Sequence, residues 1–242
     1  MLATEFTYPP HSIPLVEAYE SRFEAAFVVL HPFVRVPREL AWSAGHKYPS
    51  DAEIAEHGSK CAWMEAAAAT GLSSCARISQ ALLTAIGSLP DHLADPFGRD
   101  RLQHFLEQQP VWMPTEGNFE QLLRPDFLFT FEAAGASELI YVPEFPSADP
   151  LVTLTLDELR TGEAPFPPRG TLLAPDHSFL FTVDWDSFFT LFYGTRAFVS
   201  RIAAERGLEG FFVLPTTEHA WFNYSMGCAT VTLSPEHWQT KN

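Results

Sequence analysis

Six acidic and imidazole side chains, Asp176, His177, Asp184, Asp186, Glu218 and His219, fall at turn-like positions in the last third of the chain. Carboxylate oxygens and imidazole nitrogens suit a divalent cation, and paired carboxylates suit acid–base work. Asp184 and Asp186 stand two residues apart, so an extended strand would point both to one face. If the turns at Asp176 and Glu218 reach the same sheet end, these groups converge there. On that condition Asp184, Asp186 and His219 are the candidate catalytic residues. Asp176, His177, Trp185, Glu218 and Trp221 are the candidate binding residues around them. The competing reading is structural, because aspartate is favoured in turns for the bonds it makes to nearby backbone amides. No HExxH or HxH spacing accompanies the cluster, and no metal is assigned to it.

Other chemistries have less to stand on. Cys61 would lie one helical turn from His57 if a helix ran through both, but Gly58 and Ser59 interrupt it and no third group follows. Cys75 falls on an apolar helical face and reads as a core residue. There is no GxSxG elbow, GxGxxG turn or GxxxxGK[ST] loop, so the usual serine-hydrolase and nucleotide signals are missing and no cofactor is assigned.

The 242 residues carry 30 acidic and 15 basic side chains, for a formal charge of -15. No basic stripe offers itself to a nucleic-acid backbone. The excess is strongest between Val111 and Gly170, where Arg124, Arg160 and Arg169 face ten carboxylates. That stretch is a solvated acidic surface or a docking face for a basic partner. Cys61, Cys75 and Cys228 show no CxxC spacing, which argues for a reducing compartment and a cytoplasmic protein. No apolar run approaches the length of a membrane span.

The elements that must position these groups follow the chain in order. Residues 1–14, with Pro9, Pro10 and Pro14, form an irregular arm. Residues 15–142 are mainly helical, with Glu17–Ala26 helical in character and Ala26–Val36 a strand that Pro32 demotes toward an edge or bulge. Ser50 caps a short helix, Gly71 ends an alanine-rich one, Ser73 or Ser74 starts the next, and Asp95 with Pro96 opens another. Thr115–Ala134 holds two short helices broken at Pro125. Residues 143–170 are a proline-rich excursion containing a strand and a Thr155–Glu158 capping box. Residues 171–242 are strand-rich, with one helix from Arg196 to Arg206 between Thr195 and Gly207. Strands Thr171–Ala174, Phe179–Val183 and Ser187–Tyr193 precede that helix. Glu209–Leu214, Ala220–Tyr224 and Ala229–Leu233 follow it. The expected architecture is a single α+β domain over 1–242, a mainly antiparallel sheet packed against a layer of helices from Ser50 to Ala134.

Several stretches resemble known families. HPF at His31–Phe33, LLTAIGSL at Leu82–Leu89, and DSFFTLFYG at Asp186–Gly194 followed by LEGFF at Leu208–Phe212 resemble conserved bacterial families of unknown function. Thr171–Tyr224 is also similar to modules of bacterial immunity-type proteins, in which a hairpin with an aspartate turn precedes a helix and a strand beginning Leu-Glu. The resemblance implies a non-enzymatic binding protein. The expected partner is another protein or a second copy of the chain, while the charge and the short apolar runs point away from nucleic acid and membrane. The alternative is a small hydrolase or metal-dependent enzyme using the Asp184–Asp186 turn.

Overall fold

A computed structural model describes residues 3–10, 13–43, 48–145 and 151–217. In chain order its strands and helices are β1 (Ala25–Leu30), β2 (Phe33–Arg35), α1 (Arg38–Ser43), α2 (Asp51–His57), β3 (Ser59–Cys61), α3 (Trp63–Thr70), α4 (Cys75–Ala85), α5 (Pro96–Gln108) and β4 (Val111–Trp112). These are followed by α6 (Arg124–Ala133), β5 (Glu138–Val142), β6 (Val152–Thr155), α7 (Leu156–Thr161), β7 (Gly170–Leu173), β8 (Leu180–Val183), β9 (Phe189–Gly194), α8 (Arg196–Arg206) and β10 (Gly210–Phe212). The protein is α+β. Its residues group into two compact units, residues 32–115 making one and the flanking 3–31 and 116–217 the other.

The flanking segments build a seven-stranded sheet in the order β10-β1-β9-β8-β7-β5-β6, antiparallel throughout. Its register puts Phe27 opposite Phe192 and Leu172 opposite Phe181, so the period of two collects large rings on one face. Phe181 sits 4.3 Å from Phe192 and 4.6 Å from Phe127, ring centre to ring centre. The helices on this face are α6 through Phe127, Leu128 and Phe131, α7 through Leu156 and Leu159, and α8 through Val199 and Ile202.

The other face is buried too, which explains why the strands are apolar throughout instead of alternating. Tyr193 points there, donates to the Leu15 carbonyl at 3.0 Å and packs edge-on against Tyr19. Residues 17–24 therefore cover this face instead of forming the expected helix. Glu20 and Ser21 both take a left-handed φ of 54°, which no α-helix accommodates.

Three caps read from sequence form as expected. Ser50 and Glu53 close a reciprocal box at α2, Thr155 and Glu158 do so at α7, and Thr195 accepts from the Phe198 amide at α8. The two short helices expected on either side of Pro125 are present as a 3-10 turn at Gln121–Leu123 and α6, with Pro125 in the first turn of α6, where its missing amide has no helical partner to lose. Pro32 separates two strands of different sheets, and β1 lies between β10 and β9 instead of at an edge.

The second unit has its own three-stranded sheet, β3-β2-β4, with α3, α4 and α5 packed together. Here Asp95 caps α5 through the Gly98 amide and takes Arg77 at 2.7 Å, tying α4 to α5. The helices between Ser50 and Gln109 thus belong to this unit, and of the expected helical layer only α6 contributes to the seven-stranded core.

Candidate functional site

β8 separates the two aspartate turns. Asp176 and His177 lie in the hairpin between β7 and β8, while Asp184–Asp186 follow the other end of β8. Seven residues of extended chain between His177 and Asp184 amount to roughly 20 Å, far beyond one metal with ligand bonds near 2 Å. The structure therefore does not bring Asp176 and His177 to Asp184 and Asp186. Glu218, His219 and Trp221 lie outside the described residues. Among the described residues no group of three or more His, Cys, Asp or Glu side chains could hold a metal ion.

Asp176 and His177 are engaged in building their hairpin. Asp176 accepts from the Ser178 amide at 3.0 Å and from its hydroxyl at 2.6 Å, and these bonds hold its carboxyl below the usual range. His177 takes φ 60° and lays its ring 5.2 Å from Phe6.

The other turn is arranged differently. Asp184 and Asp186 are not on a strand: the chain leaves β8 at Val183, and the two carboxylates end up in different surroundings. Asp184 is buried, Asp186 is half-buried, and Trp185 between them is 55% exposed. Ser187 closes the turn, its amide donating to the Asp184 carbonyl at 3.2 Å and its hydroxyl to the Asp184 and Phe189 carbonyls at 3.1 and 3.0 Å. The segment around Glu116 grips it from outside. Gly117 donates to the Ser187 carbonyl at 2.9 Å, and its left-handed φ of 68° lets its backbone lie against Trp185, where a Cβ would stand 2.0 Å from the carbonyl oxygen. That close approach brings the Glu116 carboxyl to Asp186. Burial first, then the charge of Asp186 and a hydrogen bond with it, raise Glu116 above the ordinary carboxylate range.

Beneath the turn the polar groups are deeply set. Tyr8 is buried near Asp184, and burial followed by the Asp184 charge pushes its phenol well above its usual value. Thr182 and Thr171 share a hydrogen bond of 2.8 Å across β8 and β7. His31, fully buried at the end of β1, donates its amide to the Phe188 carbonyl at 2.9 Å, and its Nε2 stands 2.9 Å from the Thr190 hydroxyl. The turn therefore presents an exposed indole flanked by a hydrogen-bonded pair of carboxyls on an ordered backbone. Composition pointed to Trp185 and Asp186. Glu116, Gly117, Tyr8 and His31 are far away in sequence, and the only hint of their position was the glycine after Glu116.

A concavity of about 630 Å³ lies in residues 32–115. Arg35 of β2 and Glu65 of α3 form one wall, paired at 2.5 Å, and α5 forms the other with Phe97, Arg101, His104 and Phe105. The Arg35 pairing is the main cause holding the Glu65 carboxyl below its usual range. Cys61 is in β3, paired with Phe33, so the helix that would have set it beside His57 does not exist.

The seven-stranded unit is thus an antiparallel sheet with both faces covered, bearing an acidic turn around an exposed tryptophan. The chain belongs to the family described as protein of unknown function (DUF2711), which it matches over residues 11–223. It is similar to the Bacillus subtilis (strain 168) protein called "Uncharacterized protein YwbB", with 22% identity over 219 residues covering 86% of this chain and 95% of the relative. No solved structure matches the chain. No helix among the described residues is long and apolar enough to cross a membrane.

Proposed function

We propose that this is a bacterial, cytoplasmic binding protein that takes a basic group of a protein partner at the turn formed by Trp185, Asp186 and Glu116. The observation that carries the reading is the indole of Trp185, 55% exposed while its backbone is clamped by Gly117. A tryptophan left in water by a chain that buries most of its other rings is available for a face-on contact with a cation, worth about 0.5–2 kcal/mol. The two carboxyls beside it gain from the same visitor, since an ammonium or guanidinium relieves their mutual repulsion. The surrounding field favours it. Residues 32–115 carry seven basic and nine acidic residues, leaving eight and 21 to the rest of the chain, so the acidic excess belongs to the segments that build this turn. Electrostatic attraction of this kind speeds encounter more than it tightens the complex. Cys61 and Cys75 are buried thiols and not disulfides, which fits a reducing compartment.

An immunity-type role would be one form of such binding, and it rests on the likeness of the hairpin, helix and strand alone. For the hydrolase reading, Asp184 and Asp186 remain as a pair, without the Asp176 and His177 that were to assist them.

The test is a fluorescence titration with a short lysine- and arginine-rich peptide at low salt. Wild type should bind, and Trp185→Ala should weaken binding by about two- to thirtyfold although the net charge is unchanged. Equal binding by the two proteins would show that only diffuse charge is at work and would sink the proposal.

A further inference from the structure

The groove in residues 32–115 is built from other segments than the acidic turn. Along α5 its wall is one helical stripe, since Phe97, Asp100, Arg101, His104, Phe105 and Gln108 are spaced by three, one, three, one and three residues. The buried stripe of the same helix is Gly98 and Leu102. Phe105, three residues past Leu102 and seven past Gly98, borders that stripe and is half-buried, whereas Phe97 lies off it and is 84% exposed. The packing of α5 leaves the Phe97 ring uncovered.

The charges along the groove mostly cancel. Arg35 is taken by Glu65. Asp100 is engaged by its neighbour Arg99 at 2.8 Å. What remains is Arg101, whose one hydrogen bond among the described residues goes to the Gly71 carbonyl at 3.3 Å, with His104 one turn further on. No described carboxylate pairs with Arg101. A guanidinium keeps its charge at every physiological pH and offers five N–H donors in a planar fork, so most of its hydrogen-bonding capacity is open. An arginine with spare donors, an imidazole beside it and two rings within one or two turns on the same stripe make a concave, partly apolar surface with a few convergent polar groups.

We propose that this groove binds a small organic anion with a flat apolar body. Its charged head pairs with Arg101, supported by His104 and the Gln108 side chain, and its body lies against Phe97 and Phe105. A planar carboxylate or phosphate matches the arginine fork in two parallel bonds, and this match sets the head-group chemistry. The ring contacts select against inorganic anions, which gain nothing from Phe97. The Arg35–Glu65 pair fixes the far wall and contributes no net charge.

The test uses the full chain and three probes that share one ring system: 2-naphthoate, 2-naphthyl phosphate and the uncharged 2-naphthalenemethanol, followed by calorimetry and by shifts of the His104 ring protons. The charged probes should bind with a dissociation constant on the order of 0.1–1 mM, and the alcohol at least about tenfold more weakly. The tighter of the two anions identifies the head group as carboxylate or phosphate. Arg101→Gln should cost at least about tenfold, and Phe97→Ser about three- to tenfold. Both side chains are exposed, so folding is preserved, and circular dichroism checks this. Gln103→Ala, on α5 but outside the groove, should leave affinity unchanged. Overturning results are equal affinity for the alcohol and the anions, binding unaltered by Arg101→Gln, or a failure of both anions to move the His104 resonances.

Discussion

Replacing Gly117 with alanine should destabilise the sheet-bearing unit by roughly 2–5 kcal/mol, and the magnitude comes from two separable costs. Gly117 sits at φ 68°, and a left-handed conformation costs an L-residue about 1–2 kcal/mol. The new Cβ would also stand 2.0 Å from the Trp185 carbonyl oxygen and 2.6 Å from its carbon. These are backbone atoms, which cannot swing aside as a side chain does. The two segments must separate by more than about 1 Å, at the expense of the Gly117–Ser187 hydrogen bond, and forced displacement of this kind costs about 1–3 kcal/mol. Gly135→Ala supplies the control. Its φ is 80°, yet nothing lies within 4 Å of the added carbon, so only the conformational cost applies. Urea unfolding followed by circular dichroism, with midpoints compared at equal slope, measures the difference between the variants. If the two agree within about 0.5 kcal/mol, alanine is accommodated without displacing the turn, and the account of Trp185 as held by the Glu116 segment is wrong.

Glu116 holds its proton more tightly in the folded protein than in the unfolded chain, so its contribution to stability is fullest below about pH 4.3 and is lost as pH rises through its raised folded value. Glu116→Gln should remove that fall, and its stability relative to wild type should grow between about pH 4 and pH 7 in parallel melts. Asp126, buried at the start of α6, takes Arg206 at 2.7 Å. Asp126→Ala should cost about 2–3 kcal/mol in denaturant midpoint, below the 3–5 of a fully buried pair because the arginine is a third exposed and reaches water. Thr195→Ala, which deletes the α8 cap, should cost about 1 kcal/mol. Phe181→Ala, at the centre of the ring cluster, should cost about 3–5 kcal/mol, and a loss under about 1 kcal/mol would mean that the cluster is not the core.

Helix ends were the most legible part of the sequence because a cap is a local device. Ser50, Asp95, Thr155 and Thr195 each satisfy an amide within three residues, so the signal and the structure occupy the same window. The strands of the last third were legible for a similar reason, since hairpin partners are neighbours in sequence. The failures involve long-range partners. Glu17–Ala26 carries helical residues, but burying Tyr19 and Phe23 against Tyr193 outweighs their preference. β5 to β9 could be read in order, yet β1 pairs with β9, more than 150 residues away, and no local pattern announces that.

The candidate site divided along the same line. The sequence grouped Asp176 with Asp184 because both sit in Asp-containing turns eight residues apart, but a turn on each side of one strand places them at opposite ends of it. Convergence at a sheet end depends on strand parity: successive turns of a meander alternate ends, so Asp176 could meet only groups two turns away. The partner that Asp186 finds, Glu116, comes from a segment read as the start of a short helix, and its only distinctive residue is the glycine that permits the contact. A groove built from a stripe of α5 was hidden for another reason. Phe97 counts as core in a composition-based reading, and only its position off the buried Gly98–Leu102 stripe shows that it faces the other way.

The turn at Trp185 is ordered by an unusual set of anchors, and the order bears on what an exposed ring can do. The chain leaves the seven-stranded sheet after His31 and returns at Glu116, and both departures are tied to this turn: His31 donates to Phe188, and Gly117 donates to Ser187. Trp185 itself is held through its backbone, with its side chain left in solvent. An indole on a mobile loop would lose ordering entropy on binding, about 0.5–1.5 kcal/mol per side chain immobilised, and more for the backbone. Here the backbone share is met during folding by Gly117, Ser187 and His31. The proposed contact with a basic group rests on this combination of a fixed backbone and an exposed ring, so loosening the turn by Gly117→Ala should weaken peptide binding as well as stability.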